Sequence, residues 1–255
     1  MRSQTLAIFI FTSLILGLVS RGNGQEKKKD EKVIEAPKIL MAIPPYLEPG
    51  KTTKVLLRGK QLDQVTAVES GRKPVKILRK GKAGVPKETS AAKVGETEAE
   101  IELIAGNQDF IEITTKTEGK SSIPFKLPVR NGVIAEKEPN QGFLQAQEIK
   151  VPCLVYGKIQ AVQDVDVYQI KMPQGTELHI KVNADKIGSA LDGILTVYDV
   201  SGKRLYYADD LTGSRDSILR IKMPESGVVN LCIQDAHDLG GDLFRYLLEI
   251  EVARK

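Results

Sequence analysis

Asp166-Val167-Tyr168-Gln169-Ile170 and Leu178-His179-Ile180-Lys181-Val182 are the two stretches of this 255-residue sequence that decide its fold. Both alternate in polarity, with the period of a β-strand that buries one of its faces. Pro173-Gln174-Gly175 separates them and supplies the residue types that tight turns require. The two stretches are therefore predicted to be strands that pack by one face onto a core.

The same pattern recurs through residues 136–253. Further strand-like stretches, each near Gly, Pro or Ser-Gly, lie at 149–156, 194–198, 218–221, 228–233 and 246–252. About seven or eight short strands at this spacing are typical of a two-sheet sandwich. We therefore predict a jelly-roll-like β-sandwich domain over residues 136–253.

Residues 37–130 show a second set of short strands. These are predicted at 53–58, 75–78, 100–104, 109–114 and 123–129, and nothing among them has a sustained helical period. The pattern predicts an immunoglobulin-like (Ig-like) sandwich, which makes the fold class all-β with two β-sandwich domains. Residues 79–95 carry five Lys or Arg and three Gly, so we predict a long mobile loop there, and a short helix at 141–147.

The amino terminus is typical of an exported protein. Met1-Arg2 is followed by an apolar stretch at 6–19, and Gly22-Asn23-Gly24 offers a cleavage site before Gln25. We predict a signal peptide at 1–24 and a disordered charged linker at 25–36. The apolar stretch is shorter than the roughly 20 residues that span a bilayer comfortably, although an uncleaved anchor remains an alternative. No membrane span is expected after cleavage.

The composition of the chain argues against some classes of function. Charged residues make up 27% of the chain and the formal net charge is +4, which is small and local, so no nucleic-acid partner is expected. Aromatic residues make up 5% and Trp is absent, which disfavours a carbohydrate surface built from stacked Trp. The two cysteines, Cys153 and Cys232, could pair in an oxidising compartment. Strand parity places them on opposite faces, one toward the core and one away, which argues against a disulfide.

A series of motifs follows in order through the second region. They are Glu136-Lys137-Glu138-Pro139-Asn140, Gly157-Lys158-Ile159, Asp164-Val165-Asp166-Val167-Tyr168, Ile187-Gly188-Ser189-Ala190-Leu191-Asp192, Tyr198-Asp199-Val200-Ser201-Gly202 with Asp209-Asp210, Asp216-Ser217 and Tyr246-Leu247-Leu248-Glu249-Ile250. In their order and spacing they resemble the pre-peptidase C-terminal (PPC) domain. The resemblance implies a secreted β-sandwich that is usually appended to a larger exported protein, often a protease.

The first region has its own resemblance. Pro49-Gly50-Lys51-Thr52-Thr53, then Val55, Leu57, Gly59 and Leu62, and the later stretch 109–129 with Gly119 between two strands are similar to an IPT/TIG-type Ig-like domain. The combination of the two domains resembles secreted proteins of planctomycete bacteria.

Calcium (Ca2+) is the cofactor that the sequence suggests. Glu136, Glu138 and Asn140 are spaced i, i+2 and i+4, so an extended segment would present all three on one face, and Asp164 and Asp166 begin a strand. In the collagen-binding modules that the second region resembles, acidic residues of these two segments hold calcium. The resemblance therefore implies a metal site at Glu136, Glu138, Asn140, Asp164 and Asp166. The alternative is a solvated acidic turn in which Asp164 or Asp166 caps backbone N–H groups.

Other polar groups have simpler explanations. Asp199, Asp209, Asp210 and Asp216 form a second acidic set that turn chemistry can account for, with metal binding as the alternative, and Asp192 beside Gly193 is read as a turn former. The tyrosines at 198, 206, 207 and 246 fit strand packing better than a ligand surface.

Catalysis is not expected. His179 is predicted on an outward strand position and His237 in a loop, and the sequence contains neither a Gly-x-Ser-x-Gly elbow nor a His-Glu-x-x-His zinc motif. We expect a secreted or periplasmic, non-enzymatic binding or scaffolding protein that contacts an extracellular or cell-envelope protein or polymer through its loops. The alternative is an accessory domain protein that acts on an exported peptidase. A small hydrolase, which would need a pocket joining a histidine to a serine, is the third possibility.

Overall fold

The computed structural model describes residues 35–253. The signal peptide predicted at 1–24 and nearly all of the linker predicted at 25–36 lie outside the described residues. Nineteen strands, one short helix (α1, Ala91–Val94) and two 3-10 turns (Leu62–Gln64 and Asp185–Ile187) account for the regular structure within 35–253. The strands form two consecutive pairs of packed sheets, so the prediction of an all-β chain built from β-sandwiches is confirmed. In the described range no helix has the length and apolar character that a bilayer crossing requires.

The first sandwich contains strands β1 to β9. They are β1 Lys38–Ile43, β2 Thr52–Lys60, β3 Ala67–Ser70, β4 Lys73–Val75, β5 Ile77–Lys82, β6 Thr97–Ile104, β7 Phe110–Thr117, β8 Lys120–Ser121 and β9 Phe125–Pro128. One sheet has the order β1-β2-β6-β5, and the other has the order β4-β3-β7 with both β8 and β9 paired to β7. Val55, Leu57, Ile101, Ile113 and Leu127 are completely buried between them. The first core therefore comes from the alternate, apolar positions of the central strands.

The second sandwich contains strands β10 to β19. They are β10 Ile134–Ala135, β11 Gln147–Ile149, β12 Cys153–Lys158, β13 Val165–Lys171, β14 Glu177–Asn183, β15 Gly193–Tyr198, β16 Arg204–Ala208, β17 Ser217–Lys222, β18 Val228–Asp235 and β19 Arg245–Val252. The sheet orders are β10-β12-β19-β14-β17 and β11-β13-β18-β15-β16. The short strands β10 and β11 run parallel to their neighbours, and the remaining pairs are antiparallel. Apart from the hairpin of β15 and β16, consecutive strands thus belong to alternate sheets, as in a jelly-roll-like sandwich.

The two sandwiches share buried residues. Met41 of β1 and Val94 of α1 are fully buried within the core of the second sandwich. A Cβ atom on Gly188 would overlap the carbonyl oxygen of Leu40, so only glycine allows this close approach. The rings of Tyr46 and Tyr156 also meet edge to face, with centroids 5.6 Å apart. These contacts join the first sandwich to the second through side chains as well as through the connecting chain.

Two local predictions were wrong. Residues 79–95 are not one long loop, because β5 occupies Ile77–Lys82 and α1 occupies Ala91–Val94. Charge on β5 is compatible with a strand because Arg79 forms ion pairs with Glu98 and Glu100 of the neighbouring β6. Residues 141–146 form turns instead of a helix, and β11 begins at Gln147.

The cysteines lie on strands of different sheets. Cys153 of β12 packs against the second core, and Cys232 of β18 points to the opposite face of its strand but is still only 6% exposed. Both are free thiols. Burial raises the pKa of Cys153 to about 11 and that of Cys232 to about 12.

Candidate metal centre

The segment after β10 brings three of the predicted ligands to one end of the second sandwich. The backbone N–H of Glu136 donates to the carbonyl of Tyr156 on β12 (3.0 Å). The N–H of Val167 on β13 donates to the carbonyl of Asn140 (2.9 Å). Because β12 and β13 belong to different sheets, residues 136–140 are tied to both halves of the sandwich.

Three carboxylates converge there. One oxygen from each of Glu136, Glu138 and Asp166 lies within 4.8 Å of the others, a spacing that would let them hold a single ion. Asp166 is completely buried, Glu136 is partly buried and Glu138 is exposed. The cluster therefore reaches from the solvent into the interior of the sandwich.

Two oxygen atoms at this end of the sandwich have no partner. Asn140 Oδ1 and Asp166 Oδ1 are buried and accept no hydrogen bond from any described residue. Asn140 donates from Nδ2 to Glu136 Oε1 (3.2 Å), which orients its amide. Leaving a buried acceptor unsatisfied costs about 1–3 kcal/mol, so two such atoms beside a carboxylate cluster need a physical explanation.

The pKa values of the two more buried carboxyls of the cluster are also perturbed. Burial, followed by the neighbouring Glu136, raises the pKa of the Asp166 carboxyl to about 10. Burial also raises the pKa of Glu136. Two carboxyls in this position resist ionisation together unless a proton or a cation offsets their charge.

The remaining contacts fix the shape of the cluster. The backbone N–H of Lys158 donates to Glu136 Oε2 (2.7 Å), and Gln160 Nε2 donates to Glu138 Oε1 (2.6 Å). Gln141 Nε2 donates to Glu138 Oε2 (2.7 Å). These donors aim the carboxylates without using all their lone pairs, so each oxygen can still bind a cation.

Tyr246 is a member of the site that sequence reasoning missed. Its hydroxyl donates to Asp166 Oδ2, and the hydroxyl of Tyr168 lies 2.7 Å from it. A Cβ atom on Gly157 would overlap the Tyr246 ring, so that glycine makes room for the ring. Strand parity does carry part of the signal, since Asp166, Tyr168 and Ile170 share the core-facing side of β13.

Asp164 takes a different role from the other predicted ligands. It is buried, and its Oδ2 accepts a hydrogen bond from the backbone N–H of Gln160 (2.6 Å). It also borders a shallow depression with Glu138 and Gln160, but its carboxylate is not part of the converging group. This is the backbone-capping role that was the alternative for the segment.

The four aspartates of the second acidic set take two different roles in the structure. Asp199 accepts from the N–H and hydroxyl of Ser201 and closes a turn, and Asp216 accepts from the N–H groups of Ala184 and Asp185. Asp209 and Asp210 instead approach Asp192, and carboxylate oxygens of these three lie within 4.8 Å of one another. Asp192 was read from the sequence only as a turn former.

The histidines lie in separate places. His179 of β14 borders an open depression with Glu251. His237 is exposed, its Nδ1 lies 3.7 Å from Asp192 Oδ2, and it lines a cleft that also includes Ser90. In the part of the chain that the structure describes, neither histidine side chain hydrogen-bonds to a serine or threonine hydroxyl.

Comparison with known proteins gives partial matches. No family model matches the sequence. A "probable subtilase-type serine protease" of Deinococcus radiodurans is 32% identical over 110 residues, which cover 40% of this chain and 14% of the protease. The matched stretch is thus a small fraction of that relative's length.

Three solved structures match this chain with low TM-scores and low sequence identity. The pre-peptidase C-terminal domain of a collagenase from Bacillus anthracis covers 46% of this chain and all of that domain, with a TM-score of 0.33 and 13% identity. SGBP-B of a mixed-linkage glucan utilization locus of Bacteroides ovatus, in complex with a heptasaccharide, covers 87% of this chain and 75% of its own (TM-score 0.29, 9% identity). SGBP-B of a xyloglucan utilization locus of Bacteroides uniformis covers 85% and 73% (TM-score 0.27, 12% identity).

Proposed function

We propose that this chain is an exported, non-catalytic binding or scaffolding protein. In this proposal a calcium ion holds residues 136–140, at the start of the second sandwich, against both of its sheets. The observation that carries the proposal is the pair of buried, unpartnered oxygens, Asn140 Oδ1 and Asp166 Oδ1, beside the carboxylates of Glu136 and Glu138. In this reading the second sandwich is a PPC domain and the first is an IPT/TIG-type domain.

The donor set suits calcium. Ca2+ takes six to eight oxygen ligands from carboxylates, amides and water, whereas zinc prefers cysteine and histidine. Glu136, Glu138, Asp166 and Asn140 offer oxygens only, and exposed Glu138 leaves room for water. Asp164, which already caps Gln160, would support the site from beside it.

A bound ion would act on stability. It would offset the charge of the buried Asp166 and Glu136 carboxylates and satisfy the two free acceptors. Since residues 136–140 contact β12 and β13, the ion would fasten the connection between the sandwiches. The ion is proposed as a structural one, and recognition of an extracellular protein or polymer is assigned to the loops and sheet faces.

A second candidate function is an accessory role for an exported peptidase. The observation that favours it is the 32% identity with part of the subtilase-type protease. Co-purification of the tagged chain with an exported peptidase of its own host would support this role, and retention on cell-envelope polymer in the absence of a peptidase would support the scaffold.

Calcium titration tests the metal site. We expect the melting temperature of the full-length chain to rise when calcium replaces a chelator, because an ion that binds only the folded state stabilises it. At a hundredfold excess over Kd the gain is about 2.7 kcal/mol, or roughly 5–10 °C for a chain of this size.

Two variants make this experiment specific. Asp166→Asn should abolish the shift, and Glu225→Gln, which replaces an exposed carboxylate that makes no hydrogen bond or salt bridge among the described residues, should keep it in full. An unchanged melting temperature at millimolar calcium, or an equal rise in Asp166→Asn, would remove calcium from the proposal.

A further inference from the structure

A cleft of about 780 Å³ lies where the segment before β6 meets the second sandwich. Its lining includes Ser90, Lys93, Asp192, Arg215, His237 and Phe244. The volume falls within the roughly 300–1,000 Å³ that is usual for small-ligand pockets, and junctions between domains are a common place for them. Nothing in the proposed function uses this cleft.

Two cations, Lys93 and Arg215, line the cleft. Lys93 is partly buried, and its Nζ donates one hydrogen bond, to the carbonyl of Ala190 (3.3 Å). The guanidinium of Arg215 makes no hydrogen bond or salt bridge with any residue of the described range. Burial, and then the charge of Arg215, lowers the pKa of Lys93. Two like charges held together this way favour an anionic group between them.

Asp192 lines the same cleft, and its Oδ2 lies 3.7 Å from the Nδ1 of His237. Asp192 Oδ1 is buried and accepts no hydrogen bond within the described part of the chain, and carboxylates of Asp209 and Asp210 lie within 4.8 Å of the Asp192 carboxylate. Burial, and then the charge of Asp210, raises the pKa of Asp192. A cationic group would relieve this repulsion.

Asp235, the other aspartate in the lining, is already used. Its carboxylate accepts from the backbone N–H groups of Asp192, His237 and Leu239, each at 3.0 Å. It therefore supports the wall of the cleft, which leaves Asp192 and the exposed Glu88 as the acids of the lining that a ligand can reach.

The segment that carries Lys93 is firmly held. Buried Arg58 donates to the carbonyls of Gly84 (2.7 Å) and Gly95 (2.9 Å), and Val94 inserts into the second core. Lys93 thus enters the cleft from the first sandwich and Arg215 and Asp192 enter it from the second, and the charges of the three side chains act on one another.

We propose that this cleft binds a short peptide by its two charged ends, with the carboxylate at Lys93 and Arg215 and the ammonium at Asp192, flanked by Asp209 and Asp210. The proposal goes beyond the calcium site and does not depend on it. The volume of the cleft exceeds what one amino acid fills, so a peptide of a few residues is the fitting ligand.

The test is calorimetric titration of the full-length chain with trialanine in the presence of a chelator. We expect binding with a Kd of about 1 mM or tighter. N-acetyl-trialanine, trialanine amide and free alanine should each bind at least about tenfold more weakly, a loss of about 1.4 kcal/mol. Absence of binding at millimolar trialanine, or equal affinity for any of the three comparison ligands, would overturn the proposal.

Variants locate the binding to the cleft. Lys93→Met and Asp192→Asn should each lower the affinity about tenfold, as expected for loss of one charge-assisted contact. Arg215→Gln and Asp210→Asn serve as second variants that put folding at less risk, because Arg215 makes no hydrogen bond or salt bridge within residues 35–253 and Asp210 is exposed. Lys73→Met and Asp109→Asn, both exposed and outside the cleft, are the controls and should bind as the unaltered chain does. If all four cleft variants, folded by circular dichroism, keep full affinity, the proposal is wrong.

Discussion

Tyr246 of one sheet donates its hydroxyl hydrogen to Asp166 of the facing sheet, across the interior of the second sandwich. Both residues are completely buried. The carboxylate thus enters the core from β13 and is met there by a phenol from β19. This contact anchors the buried end of the candidate metal centre in the core, while Glu138 leaves its other end exposed to solvent.

Removing the phenol should be costly. Tyr246→Phe leaves Asp166 without its donor and should lower the free energy of unfolding by about 1–3 kcal/mol, the usual cost of an unsatisfied buried acceptor. Urea unfolding measures the change. Tyr198→Phe is the matched control, since the Tyr198 hydroxyl has no hydrogen-bond partner in the described residues, and it should stay within about 0.5 kcal/mol of the unaltered chain. An equal loss in both variants would show that the hydroxyl contact to Asp166 contributes nothing particular.

Stability without calcium should depend on pH. The folded-state pKa of Asp166 is about 10 against 3.8 for a free aspartate, so the folded state holds a proton that the unfolded state releases above about pH 4. The free energy of unfolding should therefore decline as the pH rises between about 4 and 10, and the raised pKa of Glu136 acts in the same direction. Melting temperatures across this range, in a chelator, measure the decline. Asp166→Asn should flatten it, and an equally steep decline in that variant would assign the effect to other groups.

Arg58 should be necessary for the order of residues 84–95. Arg58→Lys keeps the charge but loses the guanidinium fork that holds Gly84 and Gly95, so we expect a loss of about 1–3 kcal/mol and faster amide exchange over 84–95. Hydrogen exchange read by mass spectrometry reports both the site and the size of the change. Arg220→Lys, at an exposed position whose side chain makes no hydrogen bond or salt bridge in the described part of the chain, should leave exchange unchanged. Unaltered protection of 84–95 in Arg58→Lys would refute this role.

The cysteines should be unreactive in the folded chain. With pKa values of about 11 and 12, roughly one thiol in ten thousand or fewer is ionised at neutral pH, and the thiolate is the reactive form. Labelling with a thiol reagent should be slow under native conditions and complete in denaturant. Rapid native labelling of either cysteine would contradict the partial burial of Cys153 or the burial of Cys232.

The success and failure of the sequence-based predictions have separate physical causes. Alternation at Leu178–Val182 and in the segment of β6 predicts strands because one face of each is buried, and the structure confirms it. The predicted strand at 75–78 includes the start of β5, but its charged part, residues 79–82, was missed because it pairs with β6, including ion pairs of Arg79, and β6 lies far away in sequence.

Sequence likewise predicted some residues of the candidate metal centre and missed others. The spacing of Glu136, Glu138 and Asn140 can be recognised within one short stretch of sequence. The structure brings the carboxylates of Glu136 and Glu138 together with that of Asp166. The contact of Tyr246 with Asp166, and that of Asp192 with Asp209 and Asp210, depend on how the sheets face and how a loop folds back. No local pattern carries that information.

The calcium centre is tested most directly by equilibrium titration of the chelator-stripped, full-length chain with calcium in a calorimeter. The geometry of Glu136, Glu138, Asn140 and Asp166 predicts saturable binding that Asp166→Asn abolishes and Glu225→Gln preserves. The calcium centre would be contradicted if the heat released on adding calcium to the unaltered chain equalled the heat of dilution, or if Asp166→Asn bound calcium undiminished.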